Sequence, residues 1–267
     1  MKTYLDKNVY EAALERIAYC FQEFDNVLVA FSGGKDSGVM LNLCYDYANE
    51  HGLLDKLTMY HLDYEAQYQM TTEYVTRTFL EQFPGIRKMW YCVPIKAQSA
   101  CALGEPYWTP WDAAKKKLWV RAMPENPYVV HEGNLDVPFR HGMVDYEFQD
   151  KLSRHFAKKR GTTAVMVGLR ADESLNRYAA VARGKKRRSY EGRKWITQTS
   201  AVTANVYPLY DWRVSDIWTA TARFGFDYNR LYDLLYQAGL TAGQMRVASP
   251  FNDCAQESLK LYKVIDP

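Results

Sequence analysis

Val29-Ala30-Phe31-Ser32-Gly33-Gly34-Lys35-Asp36-Ser37 joins two kinds of pattern. Before it, Asp25 to Phe31 is a short apolar, β-branched run, which predicts a buried strand. After it, Met40, Leu43, Cys44, Tyr47 and Ala48 recur at helical spacing, with Gly52 as the stop. The polar turn therefore connects a strand to a helix, at the carboxyl edge of any parallel sheet the strand joins. Ligands of open α/β sheets bind at that edge. Gly33 and Gly34 let backbone N–H groups close around an anion, and the helix adds its unpaired N–H groups and positive dipole end. Ser32 and Ser37 bring hydroxyls, Lys35 a charge, and Asp36 a carboxylate that orients Lys35 or holds Mg²⁺. A plain strand-to-helix turn capped by Ser37 explains the same residues and stays open at this point. The loop is not a Walker A motif, because no glycine stands five residues before Gly34, and no GxGxxG occurs.

The rhythm continues outward. Lys56 to Asp63 predicts a second strand. Met70, Tyr74, Val75, Phe79 and Phe83 predict a helix ended by Pro84-Gly85, and Ile86 to Ile95 a third strand. Residues 96–142 break the pattern, with five prolines between Pro106 and Pro138 and with Trp108, Trp111 and Trp119. They are expected to form a long aromatic insertion. Phe148, Leu152 and Phe156 then mark a helix stopping at Gly161. Strands follow at 162–169 and 202–207, and helices at 214–224 and 229–238. The expected architecture is an α/β domain over 1–225, a five-stranded parallel sheet flanked by helices, followed by a helical C-terminal part over 226–267.

Three ordered motifs resemble one family. The Ser32–Ser37 turn is similar to the SGGxDS PP-loop of the adenine nucleotide α-hydrolase superfamily. Gly168-Leu169-Arg170-Ala171-Asp172-Glu173-Ser174, with Arg177, resembles the G-x-R-x-x-E-S-x-x-R segment of its phosphoadenosine phosphosulfate (PAPS) reductase branch. Pro208 to Trp218 resembles that branch's P-L-x-x-W-x-x-x-D-V-W segment. The resemblance implies ATP with Mg²⁺ as cofactors, cleavage between the α- and β-phosphates, and adenylylation of an acceptor it does not name. It implies catalytic roles for Lys35, Asp36 and Arg170. Nucleotide contacts are implied for Ser32, Gly33, Gly34, Lys35, Asp36, Ser37, Asp63, Gly168, Arg170, Glu173 and Arg177, and a Mg²⁺ role for Asp36. Arg170 and Arg177 suit bidentate contact with phosphate or sulfate, though ion pairs with Asp172 or Glu173 explain them equally. Asp63 matches the family's acidic position, but Tyr64-Glu65 replace the usual Thr-Gly. Trp212 and Trp218 are assigned to the core, and Asp216 to a helix start.

Sulfonucleotide use, as in a reductase or a sulfate adenylyltransferase, is the alternative enzyme reading. The branch's E-C-G-x-H-type motif is absent, and the five cysteines form no CxxC pair, so no iron–sulfur cluster and no zinc site is expected. Cys254 is read as a packing residue, with a sulfur-handling nucleophile as the alternative. A third reading, from another class, is a nucleotide-sensing or nucleic-acid-associated regulator, because related subgroups act in DNA sulfur modification or beside ParB-like partners. Its local support is Arg183 to Lys194, with seven basic residues and one acid. This run is either a solvated loop, a lid over phosphates, or a nucleic-acid contact in which Tyr190 and Trp195 stack. Its +6 against a net charge of +3 leaves −3 for the rest, which argues against general polyanion binding. No apolar stretch approaches the ~18 residues of a membrane span, and the N-terminus lacks a signal-peptide core. A reduced, cytoplasmic protein is expected, with a homodimer or a protein partner compatible. The sequence ends at Pro267 straight after a helical pattern, which fits a longer natural protein.

Overall fold

The computed structural model describes residues 6–101, 104–173, 175–182, 189–252 and 255–265. The chain opens with helix α1 (Val9–Glu23), started by a capping box in which Asn8 and Glu11 each accept the other's backbone N–H. Strand β1 (Asn26–Ala30) leads through the 32–34 turn into α2 (Lys35–Glu50). Then come β2 (Leu57–Leu62), α3 (Gln69–Glu81) and β3 (Arg87–Cys92). The insertion carries the two-residue pair β4 (Ala97–Gln98) and β5 (Tyr107–Trp108), then β6 (Val129–His131). After α4 (Asp145–Arg160) follow β7 (Thr163–Val167), α5 (Leu175–Ala182), β8 (Ser189–Tyr190), β9 (Arg193–Gln198) and β10 (Thr203–Val206). Helices α6 (Val214–Phe224), α7 (Leu231–Gln237), α8 (Gln256–Leu259) and α9 (Tyr262–Ile265) end the described chain.

The central sheet has eight strands in the order β6-β3-β2-β1-β7-β10-β9-β8, not the expected five. The five expected strands form its parallel middle. The insertion supplies β6, parallel to β3, and the chain before β10 supplies the antiparallel β9 and β8. Three-residue β6 is too short to show a period, and β9 lies in a segment whose basic residues read as loop.

Residues alternate between two packed layers along each middle strand, as the two-residue strand period requires. Val27, Val29, Leu57, Met59, Ala164 and Met166 join a core with Ile17 and Phe21 of α1, Leu41 of α2, Phe79 of α3 and Ile217 of α6. Leu28, Tyr60, Leu62 and Val165 face the opposite layer, with Phe148, Leu152 and Phe156 of α4. Both sheet faces are thus covered, which explains the nearly unbroken apolar run of β1. Each fully buried side chain of this size contributes about 1.5–3 kcal/mol. Trp212 is buried, as expected, its indole N–H donating to the Val9 carbonyl at 2.9 Å. Trp218 is half-buried, edge-on to Tyr228 and Tyr232. Asp216 closes the α6 N-terminus by accepting the Arg213 N–H at 2.7 Å.

A third cluster joins the C-terminal part to the sheet edge. Leu231, Tyr232, Leu235, Met245 and Val247 pack around the fully buried Tyr68 just before α3. Residues beyond 226 therefore cover the carboxyl edge beside the 32–37 turn.

Candidate functional site

Gly33 adopts φ +78°, a conformation that strains any residue with a Cβ, and one built there would stand 3.0 Å from Val75 Cγ2. This reversal turns the chain from β1 into α2. The Ser37 hydroxyl accepts the Ser32 N–H at 3.1 Å, lies 3.0 Å from the Ser32 hydroxyl, and donates to the Gly34 carbonyl at 3.0 Å. Among the described residues, the N–H groups of Asp36 and Ser37 find no backbone acceptor outside the helix, as first-turn donors do not.

Gly168, just past β7, fits against this turn because it lacks a side chain. A Cβ there would lie 3.0 Å from the Ser37 nitrogen and 3.1 Å from Asp36 C and Ser37 Cα, all backbone atoms. Two residues on, Arg170 is 3% exposed and donates from Nε to Asp36 and from a terminal nitrogen to Asp172 at 2.5 Å. Lys35 Nζ donates to the other Asp36 oxygen at 2.9 Å. Burial alone would raise the Asp36 carboxyl, but Lys35 and Arg170 outweigh it and hold the group below the usual carboxylate range. Burial likewise works against the Arg170 charge, and Asp36 overcomes it. Beside this triad, Glu173 pairs with Arg177 at 2.8 Å and with Arg246 at 3.6 Å. Ser174 lies outside the described residues.

Each Asp36 carboxylate oxygen is engaged by one cation, Lys35 on one and Arg170 on the other. Among the described residues, no group of three or more His, Cys, Asp or Glu could hold a metal. Cys20, Cys44 and Cys92 are buried and free, Cys101 is exposed, and Cys254 lies outside the described residues. No helix among the described residues is long and apolar enough to cross a membrane.

Asp63 stands apart from this cluster. Fully buried past the end of β2, it accepts the Trp90 indole N–H at 2.7 Å and two bonds from Arg121 of the insertion at 2.5 and 2.7 Å. Its neighbour Glu65, at φ +63°, accepts the N–H groups of Trp111 and Val120 at 2.7 and 3.0 Å. The Tyr64-Glu65 departure thus anchors the insertion.

Three residues of the site, Tyr232, Asn229 and Arg246, escape sequence reasoning. The Tyr232 hydroxyl accepts the Lys35 N–H at 3.1 Å, and its ring lies 5.3 Å from Lys35 Nζ. Asn229 donates to the Gly33 carbonyl at 3.3 Å and to Thr71 Oγ1 at 2.8 Å. Arg246 reaches Glu173. Of the basic run, 183–188 lie outside the described residues, while its end packs on α1. Tyr190 donates to Glu23 and lies against Phe24, Arg193 sits over the Tyr19 ring at 3.9 Å, and Trp195 meets Tyr19 edge-on. Tyr190 and Trp195 are therefore engaged in intramolecular packing.

A glycine-bearing strand-to-helix loop at the carboxyl edge, closed by an arginine from the next parallel strand, defines a PP-loop α/β protein of the adenine nucleotide α-hydrolase superfamily. Residues 26–238 match the model of the phosphoadenosine phosphosulfate reductase domain, and the chain belongs to that family. Residues 239–267 match a domain of unknown function (DUF3440). The chain is 35% identical over 266 residues to the uncharacterized protein YbdN of Escherichia coli (strain K12), covering 98% of this chain and 64% of that one. It thus spans less than two thirds of that relative. Among solved structures it is similar to phosphoadenylyl-sulfate (PAPS) reductase from Candida auris, with 14% identity, 92% and 96% of the two chains covered and a TM-score of 0.46. It is also similar to Candida glabrata FMN adenylyltransferase in complex with FAD and inorganic pyrophosphate, with 14% identity, 87% and 63% covered and a TM-score of 0.48.

Proposed function

We propose that the chain binds ATP at the 32–37 turn and cleaves it between the α- and β-phosphates, transferring the adenylyl group to an acceptor. One observation carries this reading: the open amides at the α2 N-terminus, Lys35 and Arg170 converge within a single Asp36-centred cluster. Negative charge builds on the leaving pyrophosphate, and fixed N–H donors and cations stabilise it without reorganising. Asp36 is a positioning group that aims Lys35 and Arg170. Arg177 and Arg246 extend the positive rim, and a phosphate competes with Glu173 for them. Where Mg²⁺ accompanies ATP, it would supply charge neutralisation on the phosphates.

Product analysis by mass spectrometry after incubation with ATP tests the proposal. With a small-molecule extract supplied as acceptor source, pyrophosphate together with AMP, free or carried on an acceptor, is the expected result, and ATP recovered intact in its presence or converted to ADP overturns it. The family match over 26–238 favours a second reading, turnover of a sulfonucleotide at the same anion seat, for which sulfite released from PAPS is the sign.

A further inference from the structure

The insertion does more than cross the sheet edge. Beside the end of β2 it forms a cleft of about 640 Å³, a volume suited to a small molecule. Tyr107, Trp108, Trp119 and Phe251 supply aromatic walls, and Lys96 and Lys115 stand at the rim. Neither lysine is ion-paired among the described residues; Glu105 shares the rim and Glu65 the wall, so the formal charges of the lining balance and the two lysines are its cationic points. Glu65 also lines the cleft, but its oxygens are engaged by the Trp111 and Val120 amides. Those bonds, and Arg121 Nε on the Glu65 carbonyl at 2.8 Å, hold the wall in place before any ligand arrives. The Trp108 indole N–H is buried without an acceptor among the described residues, which marks this wall as short of a polar partner.

The cleft is linked to the nucleotide turn by one chain segment. A Cβ at Gly34 would lie 3.9 Å from Val247 Cγ2, and Phe251 is four residues further on. Four extended residues span on the order of 14 Å at most. The same segment is tied to α3 and its approach by Thr71 and Gln67, which donate to the carbonyls of Val247 and Ala248 at 3.0 and 3.2 Å. Nucleotide seat and cleft thus share one edge and one connecting strap.

We propose that this cleft is the acceptor site, and that it takes a planar aromatic acid. The inference rests on the adenylyl-transfer reading above. Aromatic walls select a flat ring by stacking and edge contacts, and the unpaired lysines select an anionic group. A carboxylate is also a competent acceptor. Its oxygen forms a bond to the α-phosphorus of ATP, the bridging α–β P–O bond breaks, and pyrophosphate leaves with the electron pair. The carboxylate is already deprotonated, so no proton moves and nothing is oxidised.

Calorimetry on the full chain without nucleotide tests the cleft, with indole-3-acetate, 4-hydroxyphenylacetate and benzoate as probes. Indole-3-ethanol serves as the uncharged ring and acetate as the ringless anion. Saturable binding of at least one aromatic acid is expected, at least tenfold weaker in Trp108→Leu. Lys115→Gln, an exposed change that leaves folding alone, should weaken the acid several-fold and indole-3-ethanol not at all. Absence of binding by all three acids, or binding unaltered by both variants, overturns the proposal. A parallel titration with ATP separates the two readings. Loss of ATP binding with the acids still bound removes the adenylyl-transfer reading and leaves the cleft as an aromatic-acid site.

Discussion

The Tyr232 hydroxyl accepts the backbone N–H of Lys35 at 3.1 Å, across 197 positions of sequence. This bond caps the α2 N-terminus with a neutral side chain from the C-terminal part, at the place where a phosphate oxygen would take the same donor. Burial, reinforced by the nearby Asp36 charge, pushes the phenol well above its usual range, so it stays a neutral hydroxyl throughout the physiological span. Tyr232→Phe is expected to cost about 0.5–1.5 kcal/mol of stability, the net value of one hydrogen bond. It also frees the Lys35 amide, so ATP affinity measured by calorimetry should rise or hold. A fall of tenfold would instead assign the hydroxyl a direct bond to the nucleotide.

Lys35→Ala and Ser37→Ala separate binding from folding. Lys35 leaves Asp36 with Arg170 as partner, so the core pairing survives. A lost charge-assisted contact costs about 1.5–3 kcal/mol of nucleotide affinity. Calorimetry on variants with unchanged circular dichroism checks this, and wild-type affinity in Lys35→Ala would remove the phosphate role.

Acid should dismantle the same cluster. The folded Asp36 pKa is depressed, so its contribution is fully present above the unfolded carboxylate value near 3.9 and is lost as pH falls through the folded value. Asp36→Asn removes that dependence and leaves Lys35 and Arg170 buried without their shared counter-charge, a loss of about 3–5 kcal/mol. Urea midpoints at pH 7 and at successive steps below pH 4 should converge for wild type and variant.

How far the sequence discloses this site follows from the range of each signal. The β1–turn–α2 unit and the Arg170 strand end are local patterns, and all five expected strands pair in the sheet. Helix α1 is written just as locally, in the Asn8/Glu11 box and the buried Ala13, Ile17, Cys20 and Phe21 stripe, but its residues carry no functional motif. Tyr232 and Asn229 lie in an ordinary helical stretch; only the chain's return to the sheet edge places them on the turn. Asp63 was legible by position, whereas its partner Arg121 was not, since nothing in the sequence of an irregular insertion shows which side chain comes back to β2.

Gly168→Ala is expected to injure the site without touching any charged group. The added carbon meets backbone of Asp36 and Ser37 at 3.0–3.1 Å, and backbone at a helix start cannot rotate away. Overpacking of this kind costs about 1–3 kcal/mol. Because the displaced atoms belong to the turn proposed to bind ATP, nucleotide affinity should fall along with the thermal midpoint. A variant as stable and as tightly binding as wild type would show that β7 and α2 can separate freely.

Arg121→Gln probes how the insertion is held. Asp63 is fully buried, and Arg121 is its one cationic partner among the described residues, with a terminal nitrogen on both carboxylate oxygens. The Trp90 indole and the Glu65 backbone N–H remain in the variant, but neutral donors do not balance the charge of a buried carboxylate. Breaking a buried pair from one side costs about 3–5 kcal/mol. That cost is met partly by local release, since Arg121 also holds the Glu65 carbonyl and lies over the Trp111 ring at 4.9 Å. Residues 96–142 should then be cut by trypsin at low enzyme ratios that spare the wild type, while 26–62 stay protected as the sheet's centre. The exposed Lys115, Lys116 and Lys117 provide the cleavage sites. Arg121→Lys restores the charge but not the paired geometry, so it should recover only part of the resistance. Equal digestion of wild type and Arg121→Gln would mean that the Glu65 bonds to Trp111 and Val120 hold the insertion unaided.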